Sequence, residues 1–404
     1  RMKSFLLLSG MAFCLSSCFG QKTYCVEYPQ DKEHGVYQFC DLANYDPLYV
    51  DYTSLSILAD ESQLNYPEFA NTELTAEDLS QFWYRNSDGQ VLLSQGGRKE
   101  LEDYKLKFPN TEFIVTLEFH GEIHGDDMID KHPSREKIDN FVKTILDVME
   151  HEKFGGLCYS HKSNNGVKNK MRFVNEILAI DAALKEAMDI STYIFIDGTE
   201  VSITGTYPME KLKESSIHIV VHSTDVMSPY NPYSTPLRGA TRKSMNTVMS
   251  DWMSKIGDPS RLFASIDLLG LKHKRNGSEH EILKYVPYEE ICMKLHHSKK
   301  LSFKEDEATA EFTFSNGFIT FENVQSCQKK AEYIELNRLG GLAIYSYPYQ
   351  GVSKKCPAGE YVLHRVLKLV LSDSRGCNKE IIDLMDKEIS TKAYIKVKLL
   401  FKKN

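Results

Sequence analysis

Eight short runs rich in Val, Ile and Tyr recur along this chain, and long amphipathic helical patterns fall between them. The runs predict strands over Thr23–Tyr28, Thr53–Ala59, Phe113–Phe119, Gly156–Ser160, Tyr193–Asp197, Ile217–His222, Leu262–Leu269 and Leu342–Tyr347. Ile138, Phe141, Val142, Ile145, Leu146 and Met149 repeat at helical spacing, with Ser134 after Pro133 as the N-cap. Met245, Val248, Met249, Trp252, Met253 and Ile256 do the same, and Gly257 then Pro259 stop that helix. Val324, Cys327, Ala331 and Ile334 give a weaker stripe, closed by Gly340-Gly341. Strand and helix in alternation imply parallel strands joined by right-handed crossovers. Eight such strands fit an α/β chain closed as a (β/α)8 barrel better than an open sheet.

The rhythm breaks between the seventh and eighth runs. Residues 272–323 carry extra β-rich pieces, Ile282–Tyr285, Phe312–Phe314 and Phe318–Phe321. This stretch reads as a small α+β subdomain inserted into a barrel made of 21–271 and 324–389. Residues 390–404 read as a basic-apolar tail, either a packed strand or a frayed end.

Residues 1–20 read as a signal peptide. Lys3 is followed by the apolar run Phe5 to Leu15, then by Ser16, Ser17 and Gly20, which suit a cleavage site. Met2 is the natural start, with Arg1 before it as translated leader. No later stretch reaches the roughly 18 apolar residues of a membrane span, so a secreted, extracellular protein is expected. The 404 residues hold 49 basic and 56 acidic side chains, a net charge of −7. With no basic run, the chain is a poor partner for nucleic acid or an anionic membrane.

Nine cysteines are present. Cys14 and Cys18 lie in the leader, and the remaining odd number leaves at least one thiol free or paired between chains. An oxidising compartment favours bridges among the others, with the pairing of Cys158, Cys327 and Cys377 open. Asn276-Gly277-Ser278 is the one glycosylation sequon.

The segment from Ser134 to Lys162, SREKIDNFVKTILDVMEHEKFGGLCYSHK, resembles the third helix and fourth strand of glycoside hydrolase family 18. Other pieces follow in the family's order. Asp78 to Gly97 matches its second helix region, and Tyr285 to Leu295 the entry to a helix of its inserted subdomain. Gly317 to Tyr347 is similar to its last helix and eighth strand. The resemblance implies catalysis at D-x-x-D-x-D-x-E on strand four. There the Glu protonates the leaving oxygen and the substrate's own N-acetyl group attacks, an exception to the two-carboxylate scheme.

Laid on Phe154-x-Gly156, the four acidic positions read Gly155, Cys158, Ser160 and Lys162. A Lys in place of the acid needs a strongly depressed pKa to give up its proton. A Ser cannot hold the N-acetyl group as a carboxylate does. The family's S-x-G-G reads Glu118-Phe119-His120-Gly121, and its M-x-Y-D reads His222-Ser223-Thr224-Asp225, where the Asp alone survives. Tyr345 stands where the family floors its sugar cleft with Trp. The resemblance also implies a Cys292–Cys356 bridge; the family's second-strand cysteine position reads Val50, and Cys40 is an alternative partner for Cys25.

The expected reading is thus a catalytically inactive chitinase-like protein that binds carbohydrate or signals. Tyr345, Asp225, Tyr159 and His222 are its candidate ligand contacts. The ligand class is a chito-oligosaccharide or, given His222 and Lys162, an anionic glycan, and no cofactor is expected. One alternative is an active glycoside hydrolase with relocated residues, drawn from Glu118, Asp197, Asp225 and Asp267 or assisted by a metal. His120, Glu122 and His124 form a weak metal candidate; isolated His clusters of undefined ligand count are common and usually solvated. A third is a scaffold whose cleft is filled by its own side chains.

Overall fold

The structure is a computed structural model. It describes residues 14–16, 23–25, 35–39, 49–58, 83–85, 91–93, 98–99, 101–102, 105–106, 112–120, 135–162, 167–197, 207–222, 233, 235–239, 244–268, 270–276, 279–295, 301–345, 356, 358–359, 362–372 and 379–388. Seven strands lead the barrel: β1 (Gly35–Phe39), β2 (Tyr49–Leu58), β3 (Glu112–His120), β4 (Gly156–Lys162), β5 (Ser191–Asp197), β6 (His218–His222) and β7 (Leu262–Asp267). Five more, β8 (Gly270–Asn276), β9 (Glu279–Val286), β10 (Leu301–Lys304), β11 (Thr309–Phe314) and β12 (Gly317–Phe321), precede β13 (Gly341–Tyr345). Strands β1 to β7 and β13 pair in parallel around a closed barrel, with β13 between β7 and β1. The expected (β/α)8 architecture is the one observed.

The first barrel strand differs from the expectation. Thr23–Cys25 pairs antiparallel with Cys14–Ser16 in a two-stranded ladder outside the barrel. Gly35–Phe39 closes the ring instead, because it alone pairs with both β13 and β2. Its short run sits beside the charged stretch 31–34, which hides it from a hydrophobicity reading. The segment matched to a helix region, Asp78 to Gly97, contains a hairpin, Trp83–Arg85 against Val91–Leu93. The sequence between them holds Asp88-Gly89, a turn signal.

Helices α1 (Arg135–Glu152), α2 (Val167–Ala187), α3 (Met209–Glu214) and α4 (Met245–Ile256) follow strands β3 to β6. The sequence stripe of α4 is the buried face: Met245, Val248, Met249, Trp252 and Ile256 all lie in the core. Ser244 caps its start by accepting the Thr247 amide, and Gly257 ends it at φ 80°, a conformation open to glycine without a Cβ penalty.

Between β7 and β13 the chain forms an antiparallel five-stranded sheet in the order β9-β8-β12-β11-β10. Helix α5 (Tyr288–Leu295) belongs to this insertion, and α6 (Val324–Leu336) leads back to the barrel. Helices α7 (Val362–Ser372) and α8 (Lys379–Glu388) follow β13. Cys292 of α5 is bridged to Cys356 with a Cα–Cα distance of 5.5 Å across a sequence separation of 64. On the chain-entropy model a loop of that length contributes roughly 4 kcal/mol. Replacing Cys356 by Ser is expected to lower the unfolding free energy by about that amount. Equal denaturation midpoints for wild type and variant would remove the claim.

Cys158 and Cys327 are buried thiols that form no disulfide. Cys40, the Asp225 segment, Glu122, His124 and the tail 390–404 lie outside the described residues. Among the described residues no helix is long and apolar enough to cross a membrane.

Candidate functional site

A strand alternates its side chains between two faces, so in a closed barrel every second residue points inward. Six strands meet this way at one level. Ile114, Cys158, Tyr193, Val220, Phe263 and Ala343, one each from β3 to β7 and β13, form a separate buried cluster with Phe195 packed against it. Cys158 itself is 0% exposed. This cluster is the apolar plug of the barrel interior.

The rings within the plug are stacked with defined geometry. His218, the first residue of β6, stacks on Tyr193 at 5.1 Å and meets Phe263 edge-on at 5.8 Å. Tyr193 and Phe263 are themselves edge-to-face at 5.8 Å. Burial lowers the His218 pKa to about 4, helped by the cations of Arg261 and Lys185. The imidazole is therefore neutral at physiological pH and behaves as part of the packing. One layer up, the Phe195 ring lies 5.2 Å from His222.

The C-terminal mouth is set by the last residues of the strands, where barrels of this kind carry their chemistry. His120, Lys162, Asp197, His222, Asp267 and Tyr345 end β3, β4, β5, β6, β7 and β13. They fall into three register pairs on neighbouring strands: His120 beside Lys162, Asp197 beside His222, and Asp267 beside Tyr345. Asp267 is 2% exposed. Six of the eight strand ends thus carry three bases, two carboxylates and one tyrosine.

The four positions of the strand-four motif separate along this axis. Gly155 is exposed at the opposite end, where its amide donates to Phe113 O at 2.9 Å. Cys158 lies in the plug. Ser160 and Lys162 occupy the alternate positions above it, with Ser160 in register with Glu118 and Phe195. No Asp or Glu occurs in β4.

Tyr159 requires correction as a ligand contact. It is 0% exposed and packs in the layer between sheet and helices. The cause is parity: Cys158 faces the barrel axis, so its neighbour faces away. Burial, followed by the nearby Asp181 carboxylate, raises the Tyr159 pKa well above its ordinary value. Tyr207, another aromatic of the presumed rim, is buried against Trp252 at 5.6 Å. Tyr193, Phe195, Phe263 and His218 were not singled out by the sequence reading, although counting alternate positions from Cys158 and its counterparts finds them. Among the described residues no cluster of His, Cys, Asp and Glu is arranged to hold a metal. The candidate ligands Glu122 and His124 lie outside those residues.

The family model described as glycosyl hydrolases family 18 matches residues 20–349. A chitinase-like protein of Caenorhabditis elegans is 22% identical over 222 residues, which is 47% of this chain and 20% of that relative. The chain therefore spans about a fifth of the length of the curated relative it matches. Among solved structures, the Group IV chitinase of Ostrinia furnacalis superposes with a TM-score of 0.59 at 16% identity, covering 79% of this chain and 99% of the other. Human YKL-39, described as a pseudo-chitinase with retained chitooligosaccharide binding, gives 0.58 at 16% identity over 79% and 99%. A chitinase-like agglutinin of Robinia pseudoacacia gives 0.58 at 14% identity over 83% and 99%. These structural likenesses concern the fold, while the family match covers most of the sequence. The chain belongs to glycosyl hydrolase family 18.

Proposed function

We propose that this protein is a secreted, catalytically inactive chitinase-like protein that binds a glycan at the barrel mouth. The observation that carries this reading is Cys158. Where the family places an Asp, this chain has a fully buried thiol inside an apolar plug. The family mechanism needs an acid on the leaving oxygen and a carboxylate on the N-acetyl group. Strand β4 offers Ser160 and Lys162 at those positions. One acid or base contributes about 10²–10⁴-fold, and here both are replaced. The fold likeness to YKL-39, a pseudo-chitinase by its description, supports the same reading.

Glycan recognition rests on Tyr345 and its register neighbour Asp267, with His222 at the end of β6 and with Asp225, three residues later in the sequence and outside the described residues, as a further candidate contact. A sugar has an apolar C–H face, which an aromatic ring covers, and hydroxyls, which carboxylates accept. A Tyr offers less stacking area than a Trp, so affinity for neutral chito-oligosaccharides is expected on the order of 10⁻⁴ M. Lys162 and, when protonated, His222 add positive charge at strand ends, which suits an anionic glycan.

The test is one titration series with two readouts, cleavage and binding. Chito-oligosaccharides should bind weakly and stay intact, and Lys162→Glu alone should not restore cleavage. Tyr345→Ala should abolish binding of both the neutral oligomers and a sulfated glycan. Binding unchanged by Tyr345→Ala would move the contact elsewhere. The second reading is a hydrolase with relocated carboxylates, and Asp197 and Asp267, at the ends of the two strands that flank β6, favour it. Release of oligomers, lost in Asp197→Asn or Asp267→Asn, would establish that reading in place of the first.

A further inference from the structure

The C-terminal helix α8 is held by its last residue. Glu388 is 3% exposed, and its carboxylate accepts the Val324 amide at 3.1 and 3.3 Å. Val324 is the first residue of α6. The same carboxylate accepts the hydroxyl of Tyr288, the first residue of α5. One side chain therefore ties three elements: the inserted subdomain, the helix leading into β13, and the C-terminal helix. We propose that Glu388 is an acid-stabilised latch: with its carboxyl protonated, α8 docks firmly on α5 and α6, and ionisation loosens the docking as the medium turns neutral to alkaline.

The physical argument is a competition. An anion at a helix N-terminus is favoured by the free amides and the helix dipole. Taking a carboxylate out of water opposes it. Here burial wins, and despite the hydrogen bonds from Tyr288 and Val324 the Glu388 pKa is raised to about 7. A neutral carboxyl still accepts both hydrogen bonds, so protonation keeps the contacts and removes the buried charge.

The groups around the carboxyl do not offset it. Tyr288 is buried, and its pKa is raised well above the ordinary value by burial and by Glu388, so it stays neutral. Cys327 of α6 is likewise raised, first by burial and then by Glu322. Lys330 and Glu322 close on each other as an ion pair and add no net charge. His364, on α7 beside α8, has its pKa lowered to about 3 by burial and carries no charge above that pH.

The sign follows from proton linkage. The docked carboxyl binds its proton more tightly than the ordinary value of 4.5. The stabilisation is therefore complete below about pH 4.5 and is lost as the pH rises through about 7. The difference between those values corresponds to a docking equilibrium weakened by a factor on the order of 10².

Amide hydrogen exchange on the full chain tests this, with protection of 379–388 measured from pH 5 to pH 8 and corrected for intrinsic rates. In wild type, protection should fall about a hundredfold across that range, steeply up to about pH 7 and little beyond it. Glu388→Gln, which cannot ionise, should give a flat profile. Tyr288→Phe removes a donor to the anion and should move the pH at which the fall levels off upward. A flat wild-type profile, the same slope in Glu388→Gln, or a levelling-off pH indifferent to Tyr288→Phe would each overturn the latch.

Discussion

Cys158→Asp, the substitution that restores a family carboxylate, should destabilise the barrel instead of reviving it. The side chain is 0% exposed among Ile114, Tyr193, Val220, Phe263 and Ala343. None of these five offers a cation, His218 beside Tyr193 is held neutral by its lowered pKa, and burial shifts a carboxyl pKa upward by up to about 3–5 units. At about 1.4 kcal/mol per unit, a folded carboxyl that stays protonated while the unfolded one ionises then costs up to about 4 kcal/mol at pH 7. The sign of the pH dependence is fixed by the same shift. The raised carboxyl is neutral in acid, so the penalty shrinks below its unfolded pKa near 4 and grows as the pH rises through the folded value. Urea unfolding of wild type and Cys158→Asp at pH 5 and pH 8 should show the gap widening with pH. A variant as stable as wild type at pH 8 would mean that the plug admits a charge, and the argument for inactivity would lose its physical basis.

The second large effect lies at the junction of barrel and insertion. Lys330 and Glu322 are 0% and 1% exposed at their side chains and form an ion pair. Thr235, from the segment between β6 and α4, donates to the same Glu322 oxygen at 3.2 Å. Removing one charge from such a pair strands the other in a medium that cannot solvate it, at a cost of about 3–5 kcal/mol. Lys330→Met should therefore unfold at markedly lower denaturant than wild type. The double variant Lys330→Met, Glu322→Gln should recover most of that loss, because neither charge remains. A double-mutant cycle with no coupling would show that the pair is solvated in solution.

Most of the architecture was legible because it depends on local chemistry. Seven of the eight barrel strands lie where β-branched and aromatic runs put them, and the α4 stripe, its Ser244 cap and its Gly257 stop read straight from residue types. The first strand was not legible. Gly35–Phe39 is a short run beside charged residues, and its place follows from closure between β13 and β2, a condition on the ring that no single segment states. The hairpin at Trp83–Arg85 and Val91–Leu93 was obscured by a family comparison that overrode its own Asp-Gly turn signal.

The candidate site divides in the same way. Its chemical vocabulary came from the sequence: the absence of carboxylates on β4, the Tyr at the end of the last barrel strand, and the His and Lys of the mouth. Which residue faces which space did not. Cys158 and Tyr159 are neighbours of similar apparent promise, yet one lines the barrel axis and the other the helix layer. A strand's alternation of two is written locally, but its phase is fixed by the neighbouring strands' register. Lys330 makes the same point on a helix. At helical spacing it flanks the Val324, Cys327, Ala331 and Ile334 stripe, where a charged side chain ordinarily stays in water. In the fold it is buried, because Glu322 and Thr235 meet it from other parts of the chain. Propensity and periodicity act over a few residues and determined the elements; burial and electrostatic partnership arise between segments far apart in sequence, and the tertiary structure alone decided them.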